Sequence, residues 1–209
     1  RAPRPWIFGV RASTADRVRQ PRRTWQPARG RPKLGPMSAR VAEVDEHNRF
    51  VRWVTREVCH AERLPHRSVQ ILLWDGAGRL VLQRRHPDKR TWPDAWDVAA
   101  SGHVEEPDYP DPSRPDDDLD AIYDAVAHRE LFEELGVRAT LERLGAFGPE
   151  PGVHYEHLVL YRGVADGPYV PQPDEVSEVR AFTAHELAEL LAGQARRTAS
   201  LEWLLARFG

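Results

Sequence analysis

Cysteine is nearly absent from this 209-residue chain. The lone Cys59 excludes a disulfide framework and a cysteine-based metal cluster, and it fits a reducing intracellular setting. Long apolar runs are missing too. No stretch approaches the roughly 18 residues needed to cross a bilayer, and the first residues lack the hydrophobic region of a secretory signal. The expectation is a soluble, cytoplasmic protein with no membrane partner. Methionine is equally scarce, and the single one, Met37, stands where the composition changes. There is no internal repeat.

What is present is unevenly charged. The formal net charge is -2, yet residues 1–36 hold ten Arg or Lys and one acid, Asp16, leaving twenty basic and thirty-one acidic residues in the remainder. Proline recurs in the basic stretch at 3, 5, 21, 27, 32 and 36 without periodicity or an aromatic pattern. A disordered basic extension is therefore expected over 1–36, with nucleic acid not expected as a partner. Residues 37–209 read as a single domain, with 41% hydrophobic residues in the whole chain to build a core.

Hydrophobic patterning predicts the elements. Residues 49–55 have β character suited to an edge strand or hairpin, 68–74 read as a buried strand, and 79–83 return as its partner after the turn at Asp75-Gly76. A third strand is expected over 96–100. Residues 105–120 are rich in Pro and Asp and read as a loop, with Asp116 to Asp118 capping a helix over 119–135. Ile122, Val126, Leu131 and Leu135 form its apolar stripe, and Gly136 stops it. Further strands are expected at 140–147, 155–163 and 176–182. A capping box of Thr183 and Glu186 opens a helix over 184–191, and an amphipathic helix follows over about 196–207.

The densest chemistry lies at Arg129-Glu130-Leu131-Phe132-Glu133-Glu134-Leu135-Gly136-Val137. On a helix Glu133 and Glu134 follow Glu130 at i+3 and i+4, so three carboxylates share one face. Like charges so placed cost roughly 0.2–0.5 kcal/mol per pair, so a counter-ion or an arginine must offset them. Oxygen donors at this density suit a hard divalent ion, Mg2+ or Mn2+, that also bridges phosphate oxygens.

This run resembles the second half of the signature of the Nudix hydrolases: Arg-Glu, a hydrophobic residue, any residue, Glu-Glu, any residue, Gly, and a hydrophobic residue. Every specified position matches, and Ser101-Gly102-His103-Val104 looks like the glycine-containing opening of the same signature. The resemblance spans roughly residues 41–193. It implies an α/β fold, a Nudix α/β/α sandwich with a mixed sheet and a catalytic strand, loop and helix, whose core covers about 64–193. It also implies that Glu133 and Glu134 bind Mg2+ or Mn2+, that Glu130 is a third ligand or orients water, and that Arg129 braces these carboxylates. Glu175, just before the last core strand, is implied as a further ligand or the general base, with Glu178 the next candidate. One departure is clear. Family spacing would put the first glycine at Pro115 and the first glutamate at Ala121, whereas Gly102 comes thirteen residues earlier. The loop therefore carries an insertion and one acidic contributor is missing. Asp118, Asp120 or an acid of the insertion are the replacements, although a helix N-terminal role is the simpler job for Asp118 and Asp120.

Other features resemble the isopentenyl-diphosphate isomerase branch of the family. His66 leads the first core strand, Arg84 and Arg85 end its partner, a Trp92-Pro93 segment follows, and His103 falls where the isomerases have a metal-binding histidine. Those isomerases use a cysteine before the Gly-His pair. Here that position is Ser101, a far weaker acid, and Cys59 does not match the motif. The expected activity is therefore hydrolysis of a diphosphate linkage in a nucleoside diphosphate joined to another group. The alternatives are isopentenyl-diphosphate isomerase and a non-catalytic nucleotide-binding or regulatory module. Arg84, Arg85, Lys89 and Arg90 are candidates for substrate phosphate contacts and His103 for the pocket lining, with His66 and then His60 as weaker candidates for metal. Trp92 and Trp96 either stack on a base or pack in the core. The strand near 50–55 offers an edge for a homodimer.

Overall fold

The computed structural model describes residues 39–208, so the expected basic extension over 1–36 lies outside the described residues. At its centre is β3 (His66–Trp74), buried along nearly its whole length. It pairs in parallel with β8 (Glu156–Val164) and antiparallel with β6 (Ala100–His103) and β4 (Leu80–Arg85), which explains why even its polar residues His66, Arg67, Ser68 and Gln70 are buried. An N-terminal hairpin of β1 (Arg40–Val44) and β2 (Phe50–Thr55) joins at Glu43 and His66. Beyond β4 lie β5 (Trp96–Asp97) and β9 (Val176–Phe182), while β7 (Leu141–Phe147) pairs with β8. The result is one mixed nine-stranded sheet.

Helices cover both faces. The stripe of α2 (Leu119–Leu135), with Ile122, Val126, Leu131 and Leu135, packs on Val69, Ile71 and Leu73 of β3. Opposite, α3 (Ala184–Ala192) and α4 (Ala199–Phe208) bury Leu187, Leu201 and Leu204 against Leu72, Leu82 and Leu160. Even and odd positions of β3 thus serve different layers, as strand alternation requires. Because Leu131 is fully buried, Leu131→Ala should cost about 2–5 kcal/mol, read as a lower urea midpoint at unchanged m-value. A midpoint within error of the parent would contradict this packing.

Local chemistry departs from the expectations at five points. Asp118 stands before α2 in a left-handed conformation (φ 51°) and makes no side-chain cap. Asp116 is committed elsewhere, accepting from Phe50 N at 3.1 Å and Arg67 Nη2 at 2.5 Å. The strand expected over 96–100 is two strands, because Asp97 Oδ1 turns back to accept Val98 N at 2.9 Å. The last helix begins at Ala199 rather than near 196, since Trp96 N donates to Arg196 O and Thr198 N donates to Trp96 O, drawing that stretch alongside β5. Finally, an unexpected α1 (Arg56–Glu62) follows β2, capped by Thr55, whose side chain accepts from Val58 N.

α1 buries only Cys59. Burial pushes that thiol up to about 12, a value that removes it from acid or nucleophile chemistry near neutral pH.

Candidate active site

The carboxylates of α2 occupy three different environments. Glu134 is buried, its Oε2 accepting from Gln83 Nε2 at 2.7 Å and from Ser101 N at 3.2 Å. Glu130 lies over Gly102 of β6, where an added Cβ would fall inside the van der Waals radius of its carboxyl group. Glu133 is half exposed. Arg129 spans the group: Nη1 lies 2.8 Å from Glu130 Oε1 and donates to Glu133 Oε2 at 3.1 Å, while Nη2 donates to Asp108 Oδ2 at 2.9 Å.

Burial and crowding of like charge act together here. Glu130 is pushed up to about 7 by desolvation, against the pull of Arg129, with Glu133, Asp108 and Glu105 adding to the rise. Glu134 is pushed up to about 8, first by desolvation and then by Glu130. Two acids held near neutrality on one helix face form a donor set that a divalent cation would stabilise in its charged form.

β6 separates this group from a second one. Alternation sends Gly102 toward α2 and its neighbours Ser101 and His103 to the opposite face. There His103, His66 and His60 converge, with ligand atoms all within 4.8 Å of one another. The rings of His66 and His103 stack at 4.9 Å, and His60 meets both edge-on. His66 Nδ1 donates to Leu64 O at 2.9 Å, which leaves the Nε2 lone pair facing the cluster. The two ring nitrogens of His103 are buried and neither has a hydrogen-bond partner. Burial, and then the positive charge of Arg56, holds His103 well below the usual histidine range. Glu156 lies beside the cluster, 3.8 Å from His66 Nε2, and accepts from Ser68 Oγ at 3.0 Å. Imidazole nitrogens without hydrogen-bond partners, as on His66 and His103, suit a borderline divalent ion.

The remaining candidates are dispersed. Arg84 pairs with Asp94 at 2.9 Å and lies 3.8 Å from Glu178. Arg85 reaches Asp97 at 3.4 Å and Thr91 O. Lys89 and Glu175 form an ion pair with each other. Arg90 makes no ion pair among the described residues. Trp96 is buried edge-on to Phe182 at 5.0 Å, whereas Trp92 is half exposed.

Two contributors escaped the sequence reading. Arg56, which makes no ion pair among the described residues, lowers His60, His103 and Glu105 through its positive charge. Asp108, from the insertion, contacts Arg129. The cue to Asp108 was indirect, the vacancy at Ala121 beside an arginine that needed a partner, and nothing in the sequence pointed to Arg56.

Known proteins resemble the chain throughout this region. The NUDIX domain profile matches residues 64–204. A Nudix hydrolase of Pseudomonas aeruginosa is 37% identical over 152 residues, covering 71% of this chain and 80% of the relative. Isopentenyl-diphosphate Delta-isomerase I, chloroplastic, of Arabidopsis thaliana is 33% identical over 165 residues, covering 71% of this chain and 55% of the relative, so the chain spans about half the length of that protein. The crystal structure of DR0079 from Deinococcus radiodurans superposes with a TM-score of 0.66 at 24% identity, over 81% of this chain and 99% of that one, a likeness of fold.

Proposed function

The chain belongs to the Nudix family, and on that premise we propose that it is a divalent-metal-dependent hydrolase of diphosphate linkages, acting on a nucleoside diphosphate joined to a second group. The observation that carries this reading is the pair of carboxylates, buried Glu134 and largely covered Glu130, held on one face of α2 with Glu133 and braced by Arg129. Glu130, Glu133 and Glu134 would hold Mg2+ or Mn2+, which neutralises a diphosphate and makes a bound water more acidic. Gln83 and the Ser101 amide fix the orientation of Glu134, and Arg129 keeps Glu130 and Glu133 together. Arg56 and Arg90, unpaired among the described residues, are free to receive substrate phosphate oxygens. Lys89 and Glu175 neutralise each other; a phosphate that draws Lys89 away frees Glu175 to take a proton from the attacking water. Arg84 and Arg85 exchange an acidic partner for phosphate in the same way.

A second reading, isopentenyl-diphosphate isomerase, is favoured by the cluster of His60, His66 and His103 and by the Arabidopsis relative. It is weakened by Ser101 in the position of the isomerase cysteine and by the burial of Cys59.

A panel of nucleoside-diphosphate sugars, dinucleotides, nucleoside triphosphates, coenzyme A and isopentenyl diphosphate, incubated with Mg2+ or Mn2+ and followed by 31P NMR, separates these readings. Hydrolysis predicts metal-dependent cleavage between two phosphorus atoms of at least one nucleotide. Conversion of isopentenyl diphosphate with both phosphates retained would favour the isomerase. Metal-independent binding with no reaction would leave a silent binding module.

A further inference from the structure

The missing acid at Ala121 has a substitute within the insertion. We infer that Asp108 is the positioning residue for Arg129, and that the insertion is folded so as to deliver it. This inference rests on Glu130 and Glu133 as metal holders.

The route begins at Arg67, a fully buried arginine on the α2 face of β3. Its Nη1 donates to Tyr109 Oη at 3.1 Å and Pro115 O at 2.6 Å, and its Nη2 to Asp116 Oδ1 at 2.5 Å and Asn48 O at 2.7 Å. One guanidinium therefore ties the insertion, at Tyr109 and again at Pro115 and Asp116, to the N-terminal hairpin. The hairpin grips the same segment from outside: Trp53 packs edge-on against Tyr109 at 5.1 Å and donates Nε1–H to Pro112 O, and Arg40 pairs with Glu106 at 3.2 Å. Immediately before Tyr109, Glu106–Asp108 form a 3-10 turn with Pro107 inside it. Asp108 Oδ2 accepts Glu105 N at 2.9 Å and Arg129 Nη2 at 2.9 Å, so its carboxylate is set by the turn before it meets the arginine.

The consequence follows from the geometry of a guanidinium. Arg129 Nη1 serves Glu130 and Glu133, and the planar fork stays aimed at them only while something holds Nη2. Asp108 supplies that second hold. Without it the long side chain regains rotamer freedom, and the two glutamates lose the brace that keeps them convergent.

The test measures Mn2+ binding to the full chain without substrate, by electron paramagnetic resonance. Asp108→Asn, nearly isosteric, should weaken binding about 10-fold, while Asp108→Glu restores most of it. Asp111→Asn removes the same charge from an exposed position in the same insertion, where Asp111 bonds Ser113, and should leave binding unchanged. A purely structural role would instead lower the melting temperature of the metal-free protein and leave affinity alone. Asp108→Ser reads the same quantity should the asparagine variant not fold. Because Asp108 acts through Arg129, the double variant Asp108→Asn/Arg129→Lys should bind within about 2-fold of Arg129→Lys alone. Parent-like binding by Asp108→Asn, or full additivity in the double variant, overturns the inference while sparing the metal assignment. Failure of the parent protein to bind Mn2+ overturns both.

Discussion

Glu134→Gln should lower metal-dependent turnover by about 100-fold or more, while making the metal-free protein more stable. The first effect is the loss of a charged oxygen donor whose ion supplies several kcal/mol of transition-state stabilisation. The second follows from burial. Glu134 in the folded protein is pushed up to about 8 from an ordinary value of 4.5, so the folded state retains a proton that the unfolded chain has released. The stabilising contribution of that retained proton is complete below about pH 4.5 and is lost as pH rises through about 8. Glutamine is neutral throughout and escapes that loss. In EDTA at pH 8.5 the variant should therefore melt at least about 3 °C higher than the parent, and the decline of stability between pH 4.5 and 8 should flatten. Added Mn2+ should raise the melting temperature of the parent and not of the variant. Calorimetric scans across pH, with and without the ion, check all three. A variant that keeps parent-like turnover removes Glu134 from the site.

The second large effect needs no change to any charged residue. Gly102→Ala puts a methyl group where the Glu130 carboxyl group lies. The end of a glutamate side chain can swing away, so the fold should survive with a loss of only a few degrees, but the carboxylate then leaves Arg129 and the shared face. Turnover should fall about as far as for removal of a ligand, roughly 100-fold. Far-ultraviolet circular dichroism and a melting curve establish that the variant is folded. Activity within about 3-fold of the parent would mean that Glu130 is dispensable or that β6 yields instead.

These two sites differ in how far the sequence reveals them. α2 was legible to the residue because apolar pairs four apart, Ile122 with Val126 and Leu131 with Leu135, mark two turns of one helix and Gly136 ends it with φ 69°. β9 was equally plain, and the α3 box of Thr183 and Glu186 formed as written. α1 was not legible. It has one buried residue, Cys59, and so no stripe to betray a helix, and its identity depends on packing against the hairpin. Without α1, His60 had no reason to meet His66 and His103, which come together only through α1 and the pairing of β3 with β6. Asp108 illustrates a different limit. Its partner is 21 residues away, along an insertion with no periodicity. The vacancy at Ala121 announced that some acid was needed, but choosing among the acids of that insertion required the anchoring of Tyr109, Pro115 and Asp116 by Arg67. Local capping failed for a related reason, since Asp116 was drawn to a buried arginine whose demand outweighed that of an exposed helix end.

The proposed activity depends on the ion lying on the carboxylates of α2. The most direct measurement is anomalous diffraction from crystals grown with Mn2+ and a nonhydrolysable nucleoside diphosphate analogue. The predicted result is manganese within about 2.0–2.6 Å of carboxylate oxygens of Glu130 and Glu134, with the analogue's phosphates on the same ion. Manganese found only among His60, His66 and His103, or phosphates bound with no ion on α2, would contradict the account.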